Sequence, residues 1–122
     1  MNNLCVPGFK AGAVKAGIRG KDRLDVGLIV SDVPAVAAGV FTTSRVKAAP
    51  VLLGMESLQG GKAQAIIVNS GIANACTGEE GMSLARQTAA LVAENLEIDS
   101  TLVQVSSIGV IGEQLGIDIF QN

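Results

Sequence analysis

Residues Gln64–Asn69 read QAIIVN, Ser70–Gly78 read SGIANACTG, Glu79–Leu96 read EEGMSLARQTAALVAENL, and Leu102–Ser106 read LVQVS. The first run is short, apolar and rich in β-branched residues, which predicts a buried strand. In the third, Ala85, Ala89, Val92 and Leu96 recur at helical spacing while Arg86, Gln87, Glu94 and Glu97 fall elsewhere on the wheel, the pattern of an amphipathic helix. Thr77 and Glu80 have the spacing of a capping box, and Glu79 and Glu80 suit the positive end of the helix dipole, so the helix is expected to start near Gly78. LVQVS then reads as a strand running into Ser107–Gly112. Strand, loop, helix, strand makes this a layered α/β or α+β domain. Periodicity leaves open whether the sheet is parallel or mixed.

Upstream, Val26–Ser31 (VGLIVS) and Ala37–Thr43 (AAGVFTT) read as two neighbouring strands separated by the Asp32-Val33-Pro34 break. Val51–Leu58 after Pro50 suits a turn or two of helix, ended by Gly60-Gly61. The first 23 residues, punctuated by glycine and carrying Lys10, Lys15, Arg19, Lys21 and Arg23, suit an irregular or edge segment.

With 122 residues, 48% hydrophobic, 16% charged and a net charge of -2, the chain fits a single domain, residues 1–122. A mean hydropathy of +0.45 argues against disorder. Its three aromatics are Phe9, Phe41 and Phe120 against 15 glycines, so the core is expected to be small-grained and to depend on close backbone approach. The absence of histidine excludes Ser-His and Cys-His relays and imidazole metal sites on this chain. Without Trp, Tyr or a basic excess, no nucleic-acid partner is expected. Cys5 and Cys76 lack the spacing of a metal site and read as reduced thiols, and no metal is expected. The longest apolar stretch, Val33–Phe41, is too short to cross a bilayer and contains Pro34 and Gly39. No membrane partner and a cytoplasmic location follow as expectations.

Each candidate site has two readings. Asn69–Gly78 is either a structural turn or a cradle whose backbone N–H groups hold an anion, and it matches neither nucleotide-binding glycine fingerprint. Ser106–Gly112 is either a plain turn or a place where a glycine N–H faces an oxyanion. Thr42–Pro50 is either a strand end with snorkelling cations or an anion site. Arg19, Lys21 and Arg23 are either surface charge, with Asp22 and Asp25 among them, or an anion patch. No serine or threonine has a base beside it, so no nucleophile is credible here.

The runs GVFTTSRVKAAPVLL (Gly39–Leu53), AIIVNSGIANACTGEEG (Ala65–Gly81) and GVIGEQL (Gly109–Leu115) closely resemble the α-chain region of the ornithine acetyltransferase (glutamate N-acetyltransferase) family of arginine biosynthesis, from about Pro7 to Leu115. That resemblance implies a four-layer αββα sandwich and a precursor that cleaves itself before a Thr, leaving α and β chains associated as a hetero-oligomer. The new N-terminal Thr of the β chain would be the nucleophile, moving acetyl from N-acetylornithine to glutamate, with acetyl-CoA as a further donor in some members and no bound cofactor. In the family's Ser-Thr-Gly loop the Thr hydroxyl and Gly N–H stabilise the oxyanion. Gly109 matches that Gly, whereas Ile108 stands at the Thr position, and Ile72 replaces the Asn of NSGNANACTG. The segment after Leu115 is expected to leave the family pattern, and the cleavage Thr is not in this sequence. The chain is therefore expected to be the N-terminal part of an α chain, inactive alone. A non-catalytic anion-binding module or an inactive truncated product are the alternatives.

Overall fold

The computed structural model describes residues 6–20 and 22–121, and Cys5 and Lys21 lie outside them. The chain is α+β: one mixed four-stranded sheet, in the order β1-β2-β3-β4, with two helices. The strands are β1 (Phe9–Val14), β2 (Val26–Val36), β3 (Lys62–Ile72) and β4 (Val103–Val110), and the helices α1 (Ala49–Ser57) and α2 (Gly78–Leu96). Antiparallel pairing joins β1 to β2 and β2 to β3, whereas β3 and β4 run parallel, linked through α2. A parallel pair needs such a crossover, and this decides the sheet type that periodicity left open.

Alternation along β3 sends Ala65, Ile67 and Asn69 to the face that α2 covers and leaves Ile66 40% exposed on the other. Val103, fully buried, stands opposite Ala65 in the ladder. Ala85, Ala89, Val92 and Ala93 of α2 and Leu53 of α1 complete this core. The small side chains at 85, 89 and 93 let the helix backbone come close to the sheet. Burial of a side chain such as Val103 contributes about 1.5–3 kcal/mol. On the opposite face Ile29 and Ile66 are register partners, 44% and 40% exposed.

Several expectations change. The glycine-punctuated start keeps its edge reading, as edge strand β1, and the changes come after it. Val26–Ser31 does not stop at the Asp32-Val33-Pro34 break: β2 continues to Val36 across a register shift between Val30 and Ala35. Such an irregularity accommodates a proline with no N–H to give the ladder. Ala37–Thr43 forms no strand. After Ala37 N–H donates to the Gly61 carbonyl at 2.9 Å, the chain leaves the sheet. Val40 there is fully exposed, and the Phe41 ring packs on Gly54 of α1, where a Cβ would stand 3.2 Å from Cε1.

α2 begins where expected, but its capping box does not form. The Thr77 hydroxyl donates instead to Oδ1 of Asn74 at 2.7 Å, while Asn74 Nδ2 donates to the Gly81 carbonyl at 2.8 Å. Gly81 permits this, since a Cβ there would overlap Thr77 Oγ1. At the other end Glu97 takes the left-handed conformation (φ 55, ψ 42), and Ile98 N–H donates to the Ala93 carbonyl at 3.0 Å. This is a Schellman-type stop with a glutamate at the position glycine usually occupies.

Candidate functional site

The two loops singled out in the sequence meet at the C-terminal ends of the parallel strands. In the β3–β4 ladder Asn69 faces Ser107, Ser70 faces Ile108, Gly71 faces Gly109 and Ile72 faces Val110. Gly71 (φ 121) and Gly109 (φ 143) both lie in backbone space that L side chains rarely enter. A Cβ on Gly109 would overlap the carbonyl of Gly71 and approach Ile72 N to 2.7 Å. Gly109 is needed because its backbone touches that of Gly71, and Gly71 because a Cβ there would run into Ile18 and Arg19.

Ala73 N–H donates to the Val110 carbonyl at 2.9 Å, so Val110 turns its polar groups toward β3. Strand alternation then turns those of Gly109 to the outer edge of β4, which no strand covers among the described residues. Between β4 and the start of α1 lies a cleft of about 180 Å³, lined by Ser106 and Ser107 on one side and by Pro50 and Gly54 on the other. Ile108 is 62% exposed, so this position carries an aliphatic side chain to the surface and no hydroxyl.

Asn69–Gly78 is tied to the rest of the site. Gly112 N–H donates to the Ala75 carbonyl at 2.8 Å, Ala49 N–H to the Asn74 carbonyl at 3.1 Å, and Gln114 Nε2 to the Thr77 carbonyl at 3.1 Å. Asn74 and Cys76 take positive φ to make these bonds. With Thr77 and Asn74 hydrogen-bonded to each other, the geometry favours the structural-turn reading of this loop. Asn69 Nδ2 donates to the Ile72 carbonyl at 2.9 Å, while its buried Oδ1 has no partner among the described residues. Ile72 takes part in the turn through its backbone. Cys76 is exposed and free.

Of the cationic segments, the parts that reach the site are uncharged: Arg19 Cγ packs at Gly71, and Ala48 and Pro50 line the cleft. Lys15 pairs with Asp22 at 3.5 Å and Lys10 with Asp32 at 3.2 Å, all on the surface. In Thr42–Pro50 the Lys47 ammonium donates to the Ser44 carbonyl at 2.7 Å within an exposed turn, and this stretch is not a strand end.

One residue of structural weight was read in the sequence only as an acid among surface charges. Asp25, 3% exposed, accepts the backbone N–H groups of Ala16, Ile18 and Arg19 at 2.6, 2.7 and 3.3 Å. Its own backbone takes Ser70 N–H at 2.8 Å and gives to the Val14 carbonyl at 3.1 Å. Burial opposes its ionisation, but the N–H groups of Ala16, Arg19, Ile18 and Gly17 outweigh it and hold its carboxyl below the ordinary value of 3.8. The available signal was an acid at the mouth of an apolar strand, just after a glycine-rich turn.

A model of the ArgJ family matches residues 10–122. The match includes the segment after Leu115, against the expectation that it leaves the family pattern. Ile119 and Phe120 there pack on the core, which gives that stretch a structural requirement of its own. Among relatives, the arginine biosynthesis bifunctional protein ArgJ of Desulfotalea psychrophila is 57% identical over 117 residues, covering 96% of this chain and 30% of that protein. The ArgJ protein of Geobacter sulfurreducens is 52% identical, covering 93% and 29%. The chain thus spans about 30% of the length of these curated relatives. Among solved structures, the ArgJ bifunctional protein of Bacillus halodurans superposes with a TM-score of 0.89 at 46% identity, covering 93% of this chain and 59% of that one. The ornithine acetyltransferase of Mycobacterium tuberculosis, solved with ornithine, gives 0.85 at 43% identity, covering 93% and 62%.

Proposed function

The chain belongs to the ArgJ family, and on that premise we propose that it is the N-terminal part of an acetyltransferase of arginine biosynthesis, moving acetyl from N-acetylornithine to glutamate. Its contribution is scaffold and one wall of the acyl-transfer pocket. The nucleophile is the Thr freed by self-cleavage on downstream sequence, whose own amine or an ordered water serves as base, so the lack of histidine here is no obstacle. The rest of the α chain and the β chain are its partners, in the cytoplasm. The exposed Ile29–Ile66 face of the sheet supports a second sheet stacked there, as in a four-layer sandwich.

The observation that carries this reading is Gly109, held against Gly71 on edge strand β4, where strand alternation turns its amide outward. An N–H fixed in that way stabilises negative charge developing on a carbonyl oxygen without reorganising during the reaction. Ile108 supplies no hydroxyl beside it. A missing donor of this kind costs about 10² to 10³ in turnover, so acyl transfer proceeds on the Gly109 amide and whatever neighbouring group or water replaces the second donor.

The test joins this chain to the remaining sequence of the Desulfotalea psychrophila relative and follows label from N-acetylornithine to glutamate. Transfer, lost on removal of the downstream Thr, is the expected result. A folded, self-cleaved chimera that transfers nothing overturns the proposal.

A further inference from the structure

The turn at residues 16–19 is gripped from one side and presses on the candidate site from the other. On the gripped side, the Asp25 carboxylate takes the N–H groups of Ala16, Ile18 and Arg19, with both oxygens in use. On the pressing side, a Cβ on Gly71 would stand 2.5 Å from Ile18 Cγ2 and 2.6 Å from Arg19 Cγ. Gly71 in turn leaves no room for a Cβ on Gly109. Asp25 also accepts Ser70 N–H on its backbone carbonyl at 2.8 Å, one residue before Gly71. Carboxylate, turn, Gly71 and Gly109 therefore form an unbroken stack across three segments distant in sequence.

We propose that Asp25 is a positioning residue for acyl transfer: by fixing the 16–19 turn it sets Gly71, and through Gly71 it sets the amide of Gly109. The proposal rests on the reading of Gly109 given above. Its physical basis is that a close-packed interior transmits displacement: the Ile18 and Arg19 side chains lie against Gly71, and the Gly71 and Gly109 backbones meet with no side chain between them. A shift of the donor by about 1 Å costs on the order of 10² in rate. Asp25 touches neither substrate nor nucleophile in this scheme. Its carboxylate stays ionised through the working pH range, consistent with the N–H cage that lowers its pKa.

Asp25→Asn is the informative change, because an amide keeps the size of the carboxylate but turns an NH2 against backbone donors it cannot accept. Asp22→Asn is the control: it removes a charge three residues after that turn, at a side chain 97% exposed. Two readouts are needed. The first is hydrogen exchange in the 122-residue chain at Ala73, whose N–H bonds the Val110 carbonyl, with Ala93 of α2 as reference. Asp25→Asn is expected to speed Ala73 exchange at least tenfold more than it speeds Ala93 exchange, equal acceleration of the two overturning the role, and Asp22→Asn to move neither. The second is kinetics in the chimera, where Asp25→Asn should lower kcat on the order of 10² and leave KM for N-acetylornithine unaltered. Should Asp25→Asn fail to fold, Ile18→Ala removes the pressing methyl while keeping the cage, and should shift both readouts in the same direction by less. Unchanged Ala73 exchange in the folded variant overturns the positioning role, as does an unchanged kcat in an active chimera. An unmodified chimera that folds without transferring acetyl overturns the acetyltransferase reading, and Ala73 exchange then decides the coupling by itself.

Discussion

Gly109 of β4 stands opposite Gly71 of β3 in the parallel ladder, so close that a Cβ on Gly109 would overlap the Gly71 carbonyl. The pair fixes how the C-terminal ends of the two strands meet. A change on either side is felt in stability and, on the account given above, in the oxyanion donor.

Gly109→Ala adds an atom where backbone already lies, at φ 143. It should cost at least about 3 kcal/mol and break the Ala73–Val110 bond. Chemical denaturation with an amide spectrum of the variant checks both. Full stability in Gly109→Ala would mean that the strand ends are not packed this tightly.

Ile108→Thr restores a hydroxyl at an exposed position, so its effect on stability should stay within about 0.5 kcal/mol. In the chimera it should raise kcat toward the ~10² to 10³ that one oxyanion donor supplies, with KM nearly constant. Equal kcat for both forms would show that another group already fills that role.

Asp25 gives the protein an acid-sensitive limb. A carboxylate whose folded-state pKa lies below its unfolded value adds stability above the unfolded pKa and loses it as pH falls through the folded one. With the folded value held below 3.8, wild type should exceed Asp25→Asn in thermal midpoint by a constant gap from about pH 5 to 7. The gap should close as pH drops below 3.8. A gap independent of pH down to about 2 would show that the charge is not what holds the 16–19 turn.

Glu97 ends α2 in the left-handed conformation. Glu97→Gly relieves about 1 kcal/mol of backbone strain and loses part of it to unfolded-chain entropy. A net gain of up to about 0.5 kcal/mol by denaturant titration is expected, and a loss would mean that the carboxylate makes a stabilising contact.

The sequence made α2, β3 and β4 readable because each carries its periodicity locally: Ala85, Ala89 and Val92 for the helix, Ile66, Ile67 and Val68 for the buried strand. Ala37–Thr43 had the composition of a strand, but a strand needs a partner, and its expected neighbour, β2, is already paired on both edges by β1 and β3. The Thr77–Glu80 spacing suggested a capping box, yet Asn74, carried round by a positive φ, reaches the Thr77 hydroxyl. Gly109 was singled out in the sequence by its motif. Its reason, contact with Gly71 from 38 residues earlier, appears only once the parallel register is known. The role of Asp25 escaped because an acid near Arg23 and Asp22 looks like surface charge until the turn closes over it.

The central claim is that the attacking hydroxyl lies outside these 122 residues, which form one side of the pocket. Trapping the acetyl-enzyme of the active chimera with N-acetylornithine and locating the acetyl group by peptide mass spectrometry tests it most directly. The account predicts the label on the downstream N-terminal Thr and none on this chain, alone or assembled. A covalent acetyl group on the side chain of Ser70, Thr77, Ser106, Ser107 or any other residue here would contradict it.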